Sequence, residues 1–197
     1  MRVVTLNPER FHEECGRLGR MALQGGPYRL LIGIRNGGAY VADAMQKEQP
    51  QLDATDRCDV SLQRASTPGR SRKMKAWLRR LPRPILNLMR MVESIYDSMT
   101  ESRERNKALS EARITIPTDI SNFSIGSGRV LIVDDAVDSG VTLSVVKERI
   151  AGIYPEADIK TAALTVTRDN PEIIPDFSLY TDHTLLRFPW SNDYKYD

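Results

Sequence analysis

Short apolar runs alternate with stretches of helical period along this 197-residue chain. Residues 29–34 (RLLIGI), 58–62 (CDVSL), 130–133 (VLIV) and 160–166 (KTAALTV) are compact and apolar, the pattern of strands buried within a sheet. Two of them run through a turn into a helix. After 29–34 come Arg35, Asn36, Gly37 and Gly38, then a helical set at Ala39, Val41, Ala42, Ala44 and Met45. After 130–133 come two acids and a short polar run, then Val141, Val145, Val146 and Ile150 at helical spacing. A further helix opens the chain over 7–23, with Asn7 as N-cap, Pro8 in its first turn, and a stop at Gly25, Gly26 and Pro27. Arg113–Ile116 alternates as a short strand does. Repeated strand–turn–helix units predict an α/β fold in a single domain spanning 1–197.

One segment breaks the pattern. Between the strand at 58–62 and the one at 113–116 lies an insertion of about 68–110, with Leu78, Leu81, Ile85, Leu88, Met89, Val92, Ile95 and Met99 at helical spacing. It predicts a helix over about 83–102 and a shorter one over 104–112. Nine basic residues and no acid fall between Arg64 and Arg90. The other 19 basic residues face 26 acids, so a body of about −7 carries one concentrated basic stretch. Its apolar stripe suits packing on the body or a homo-oligomer contact; the basic face over 70–90 suits nucleic acid, anionic lipid or a protein partner.

Composition otherwise excludes more than it selects. Hydrophobic residues at 41% and charged residues at 27% are ordinary for a globular protein. No apolar run approaches the ~20 residues of a membrane span. The N-terminus turns polar too early for a secretory signal, so a cytoplasmic setting is expected. Two cysteines and two histidines make a zinc site a poor expectation.

The chemistry concentrates in VLIVDDAVDSGVTL, residues 130–143. A tight turn entering a helix presents unpaired backbone N–H groups and the positive end of the helix dipole, which suit phosphate. Gly140 lets the backbone approach a ligand closely, and Ser139 and Thr142 add hydroxyl donors. Asp134 and Asp135 do not suit phosphate; sugar hydroxyls or a metal ion on the ligand are their natural partners. A sugar phosphate satisfies both halves. Asp138 is also a good N-cap for the helix that follows.

These residues resemble the signature of type I phosphoribosyltransferases, which use 5-phosphoribosyl-1-pyrophosphate (PRPP). The resemblance implies a central, mostly parallel twisted sheet with helices on both faces and a small hood over the base, here about 170–197. It implies that Asp134 and Asp135 hold the ribose hydroxyls and meet Mg²⁺ carried by PRPP, directly or through water. Asp138, Ser139, Gly140, Val141 and Thr142 would wrap the 5′-phosphate. Arg35, Asn36, Gly37 and Gly38 are similar to the pyrophosphate loop, often marked by a basic residue and a strained peptide bond. A mobile loop would follow 58–62, starting near Ser66 and Thr67.

The tail FPW (Phe188–Trp190), the N-terminal helix and Tyr154–Pro155 resemble the xanthine and related 6-oxopurine enzymes. In these an Asp at the position of Asp138 faces the purine N7, which makes Asp138 the candidate catalytic base. Two positions depart from the pattern. The stacking aromatic of the hood is replaced by Leu185, next to Leu186, and the lysine that reads the 6-oxygen falls near Thr165–Thr167, with Arg168 the closest cation. The expected activity is PRPP- and Mg²⁺-dependent transfer to a purine-like base. A nucleotide-binding regulatory protein whose basic insertion contacts a partner is the other reading.

Overall fold

The computed structural model describes residues 2–63, 113–117, 120–191 and 194. The expected mobile loop at Ser66–Thr67, the helices over 83–102 and 104–112, and the basic stretch lie outside the described residues.

Strands β2 (Leu30–Ile34), β3 (Asp56–Gln63), β4 (Arg113–Thr115), β5 (Arg129–Val137), β6 (Asp158–Val166) and β7 (Phe177–Tyr180) form one sheet in the order β4-β3-β2-β5-β6-β7. All pairings are parallel except β3 with β4. The apolar runs reflect burial on both faces. In β5, Leu131 and Val133 join the core beneath α1 (Pro8–Leu23) and α2 (Gly37–Glu48), while Val130 and Ile132 join the core beneath α4 (Val141–Ile153). A one-turn helix, α3 (Pro50–Asp53), links α2 to β3. The fold is thus an α/β layer structure with helices on both faces of the sheet.

The helix at 7–23 forms as its signals require: Asn7 Oδ1 accepts from Arg10 N at 2.8 Å, and Pro8 occupies the first turn. The hood differs from expectation. Of the segment 170–197, β7 joins the main sheet beside β6. Only β8 (Thr184–Arg187) stands apart, paired in parallel with β1 (Arg2–Thr5), a strand not anticipated from the sequence. Four residues are too few to announce a strand without their partner.

Among the described residues no helix is long and apolar enough to cross a membrane.

Candidate functional site

β2 connects to β3 on one side of the sheet, while β5 leads to β6 and β7 on the other. The order reverses between β2 and β5, the place where open α/β sheets form a crevice at the carboxyl ends of their strands. Pairing of β2 with β5 stops at Gly33–Val133, whereas β5 stays paired with β6 as far as Val137–Val166. Asp134 and Asp135 therefore lie inside a nine-residue strand, four residues longer at its end than the apolar run suggested. β6 holds that end in place.

Both predicted loops meet at this crevice. Helix α2 begins at Gly37, so the glycine pair forms its first turn rather than the turn before it. A Cβ at Gly37 would land on the Asp135 carboxylate, and one at Gly38 on the Val133 carbonyl, 2.7 Å from the Asp134 Cα. Only glycine permits this contact. The Arg35–Asn36 peptide is cis. Arg35 is exposed, and its guanidinium has no partner among the described residues. Asp134 is buried and accepts from Asp135 N at 2.9 Å; Asp135 accepts from Ala136 N at 3.1 Å. Burial pushes the Asp135 carboxyl up, against the opposing hydrogen bonds from Asp134 and the backbone.

Asp138 does not cap α4. The N-cap is Gly140, at φ 79°, without a side-chain cap bond. Glu172 N donates to Ser139 O at 2.8 Å, and a Cβ at Gly140 would come within 2.7 Å of Ile173 N. The turn is pressed against the loop after β6, leaving the first N–H groups of α4 and the hydroxyls of Ser139 and Thr142 without protein partners among the described residues. Asp138 turns instead toward the end of β6. Its Oδ1 accepts from Arg168 Nε at 2.6 Å and Thr167 Oγ1 at 3.0 Å. Its other oxygen meets no donor among the described residues.

Arg168 thus stands beside Asp138 and bonds to it. Leu185 is half-buried on β8, opposite Val3. Leu186 is a correction: alternation along the strand turns it into the core, where it is 4% exposed. Trp190 packs on Phe188 and Tyr40, both ring centroids at 4.8 Å, and on Phe11 at 5.0 Å, as an aromatic of the core margin. Sequence reading named Thr167 only as part of the stretch where a base-reading lysine was expected, without its bond to Asp138, and missed His183, whose ring bonds to the same loop. Neither stands in a local motif that would single it out.

Among the described residues no three His, Cys, Asp or Glu side chains form a metal cage. The oxygen donors of Asp134 and Asp135 fit Mg²⁺, which binds through one or two carboxylates together with substrate phosphates.

A family model described as a phosphoribosyl transferase domain matches residues 84–182. No curated protein matches the chain. Solved structures do. A purine phosphoribosyltransferase from Pyrococcus horikoshii Ot3 is 20% identical, with TM-score 0.60, over 97% of this chain and 95% of that one. The Helicobacter pylori xanthine-guanine-hypoxanthine phosphoribosyltransferase is 16% identical, with TM-score 0.60, over 96% and 94%. A hypothetical protein from Neisseria gonorrhoeae with bound ppGpp is 14% identical, with TM-score 0.57, over 96% and 89%. At these identities the likeness concerns the fold. The family match covers half of the chain, and the chain belongs to the phosphoribosyl transferase domain family, as a pentosyl-transferring enzyme that uses PRPP.

Proposed function

We propose that the chain transfers the 5-phosphoribosyl group of PRPP to a 6-oxopurine base and releases pyrophosphate. The observation that carries this reading is the state of Asp138. One carboxylate oxygen is fixed by Arg168 and Thr167, and the other is open, on the loop that follows the paired acids. A carboxylate held this way can take a proton from a ring nitrogen of the acceptor as the new bond forms.

The remaining roles belong to the same proposal. Asp134 and Asp135 hold the ribose hydroxyls, and Mg²⁺ arrives with PRPP. That ion, when bound, offsets the charge that develops on departing pyrophosphate. Ser139, Gly140, Val141 and Thr142 cradle the 5′-phosphate with backbone N–H groups and hydroxyls. The turn Arg35–Gly38 faces the leaving pyrophosphate with an exposed guanidinium and the first N–H groups of α2. Arg168 and Leu185 border the base. The Pyrococcus and Helicobacter proteins, both purine enzymes by name, support the choice of base.

Pyrophosphate release is measured with PRPP, Mg²⁺ and a panel of hypoxanthine, guanine, xanthine, adenine and orotate. Release is expected with at least one of the first three. Asp138→Asn should then lower kcat by about 10²–10⁴-fold while PRPP still binds. Release with orotate alone, or an Asp138→Asn enzyme at full rate, overturns the reading.

A nucleotide-binding regulatory role is the second reading, supported by the Neisseria protein of like fold that holds ppGpp. It predicts tight guanine-nucleotide binding without turnover on any base of the panel, and salt-sensitive nucleic-acid binding that is lost on deleting residues 70–105.

A further inference from the structure

The turn between β7 and β8 is fastened to the end of β6 on both sides of Arg168. Thr165 Oγ1 donates to Thr184 O at 2.6 Å. The His183 ring meets Thr167 O through Nδ1 at 3.1 Å and Asp169 Oδ1 through Nε2 at 2.8 Å; both partners accept, so the ring donates to both when each nitrogen carries a proton and to one of them otherwise. Thr167 and Asp169 are the two chain neighbours of Arg168. The same short stretch holds Asp138, through Thr167 Oγ1 and Arg168 Nε. His183 reaches these partners from a left-handed backbone at φ 56°, a conformation that a residue other than glycine adopts at a cost.

Stability does not account for the arrangement. The His183 and Asp169 side chains are 40% and 79% exposed, and ion pairs this open contribute little to folding. What the ring does is remove freedom from a loop. Residues 168–170 leave β6 with no sheet pairing of their own, and a loop that swings carries Arg168 away from Asp138.

We infer that His183 is a positioning residue. By gripping Thr167 and Asp169 it holds Arg168 and Thr167 on one oxygen of Asp138, so that the other oxygen meets the acceptor base in a fixed direction. The inference rests on the role proposed above for Asp138. It adds that the hood turn, some forty-five residues further along the chain, sets the geometry of the base-side chemistry and leaves the PRPP side alone. An arrangement fixed before binding avoids the ordering cost on the way to the transition state.

The test compares His183→Asn and His183→Ala with the wild type. Asparagine tolerates the left-handed backbone, so it separates loss of the ring from backbone strain. Pyrophosphate release is followed with hypoxanthine, guanine or xanthine varied at saturating PRPP, and with PRPP varied at saturating base. Both variants are expected to lose about tenfold or more in kcat/KM for the base, since misplacement on the 1 Å scale costs about 10²-fold. KM for PRPP should stay within about twofold, and Tm within a few degrees for the Asn variant. Asp169→Ala should act in the same direction, and the double variant should lose less than the sum of the two. Wild-type base kinetics in His183→Asn overturn the inference, as does an equal loss on the PRPP side. A wild-type protein that turns over no base refutes the proposed function itself, and His183 then has no such duty.

Discussion

Alanine at Gly38 tests whether the turn after β2 and the acidic end of β5 form one site. The added methyl would stand 2.7 Å from the Asp134 Cα and against the Val133 carbonyl. Ordinary contact begins at 3.4 Å, so α2 and β5 must part by about 0.7 Å to clear the Asp134 Cα and by more to clear the Val133 carbonyl. Neither obstacle is a side chain that can rotate away, and β5 is paired with β2 and β6 at Val133. Overpacking of this kind costs about 1–3 kcal/mol of stability. The same displacement draws the turn at Arg35–Gly38 away from Asp134 and Asp135. Since misplacement on the 1 Å scale costs about 10²-fold, kcat/KM for PRPP should fall by about 10- to 100-fold. That corresponds to about 1.4–2.7 kcal/mol of transition-state stabilisation. The assay is pyrophosphate release at varied PRPP, with a thermal melt on the same samples. Gly152→Ala is the control: its Cβ meets nothing within 4 Å in α4, so it should keep wild-type kinetics and gain about 0.4–1 kcal/mol. Wild-type kinetics and Tm in Gly38→Ala would refute the idea that the two loops are locked together.

Two further outcomes follow from burial of ionisable groups. Burial raises the Asp135 carboxyl above its usual value, so the folded chain binds that proton more tightly than the unfolded chain. This contribution is full at pH below the unfolded value and is lost as pH rises through the folded one, so burial of this carboxyl costs stability at pH well above the unfolded value. Asp135→Asn should melt higher than wild type at pH 7 with the gain fading toward about pH 4, while calorimetry shows PRPP binding weakened at least about tenfold. The Tyr28 phenol is pushed up to about 12, chiefly by burial, with Asp158 and Asp176 adding and Arg129 opposing. Its stabilisation is full below the unfolded value of about 10 and is lost as pH rises through 12. Tyr28→Phe, which removes bonds to Ala22 O and Arg129 Nη2, should lose about 0.5–1.5 kcal/mol at pH 7 and show a shallower decline above pH 10 in denaturant titrations.

The sequence by itself determined what local chemistry can determine. An apolar run such as VLIV fits only where both faces are covered, and Leu131 and Ile132 are indeed divided between two cores. Asn7 and Pro8 announce their helix because an N-cap acts within three residues. The acids at 134–135 and the turn at 138–140 are adjacent in the chain, so local connection alone brings them to the same end of β5.

Tertiary structure decided what depends on distant partners. Asp138 was as good an N-cap as any by sequence, but a turn pinned by Glu172 N puts Gly140 at the cap and leaves Asp138 to Arg168, thirty residues away. β1 exists because β8 lies beside it, across almost the whole chain. Leu185 and Leu186 are adjacent and chemically alike, yet only the pairing register sends Leu186 into the core and leaves Leu185 half-open. His183 is one of two histidines, five residues ahead of the FPW of the tail and outside it, and gains its partners only when β7 and β8 turn back over β6. Local spacing records which groups a segment offers, whereas the direction and partner of each group are set by contacts the chain makes only once it has closed on itself.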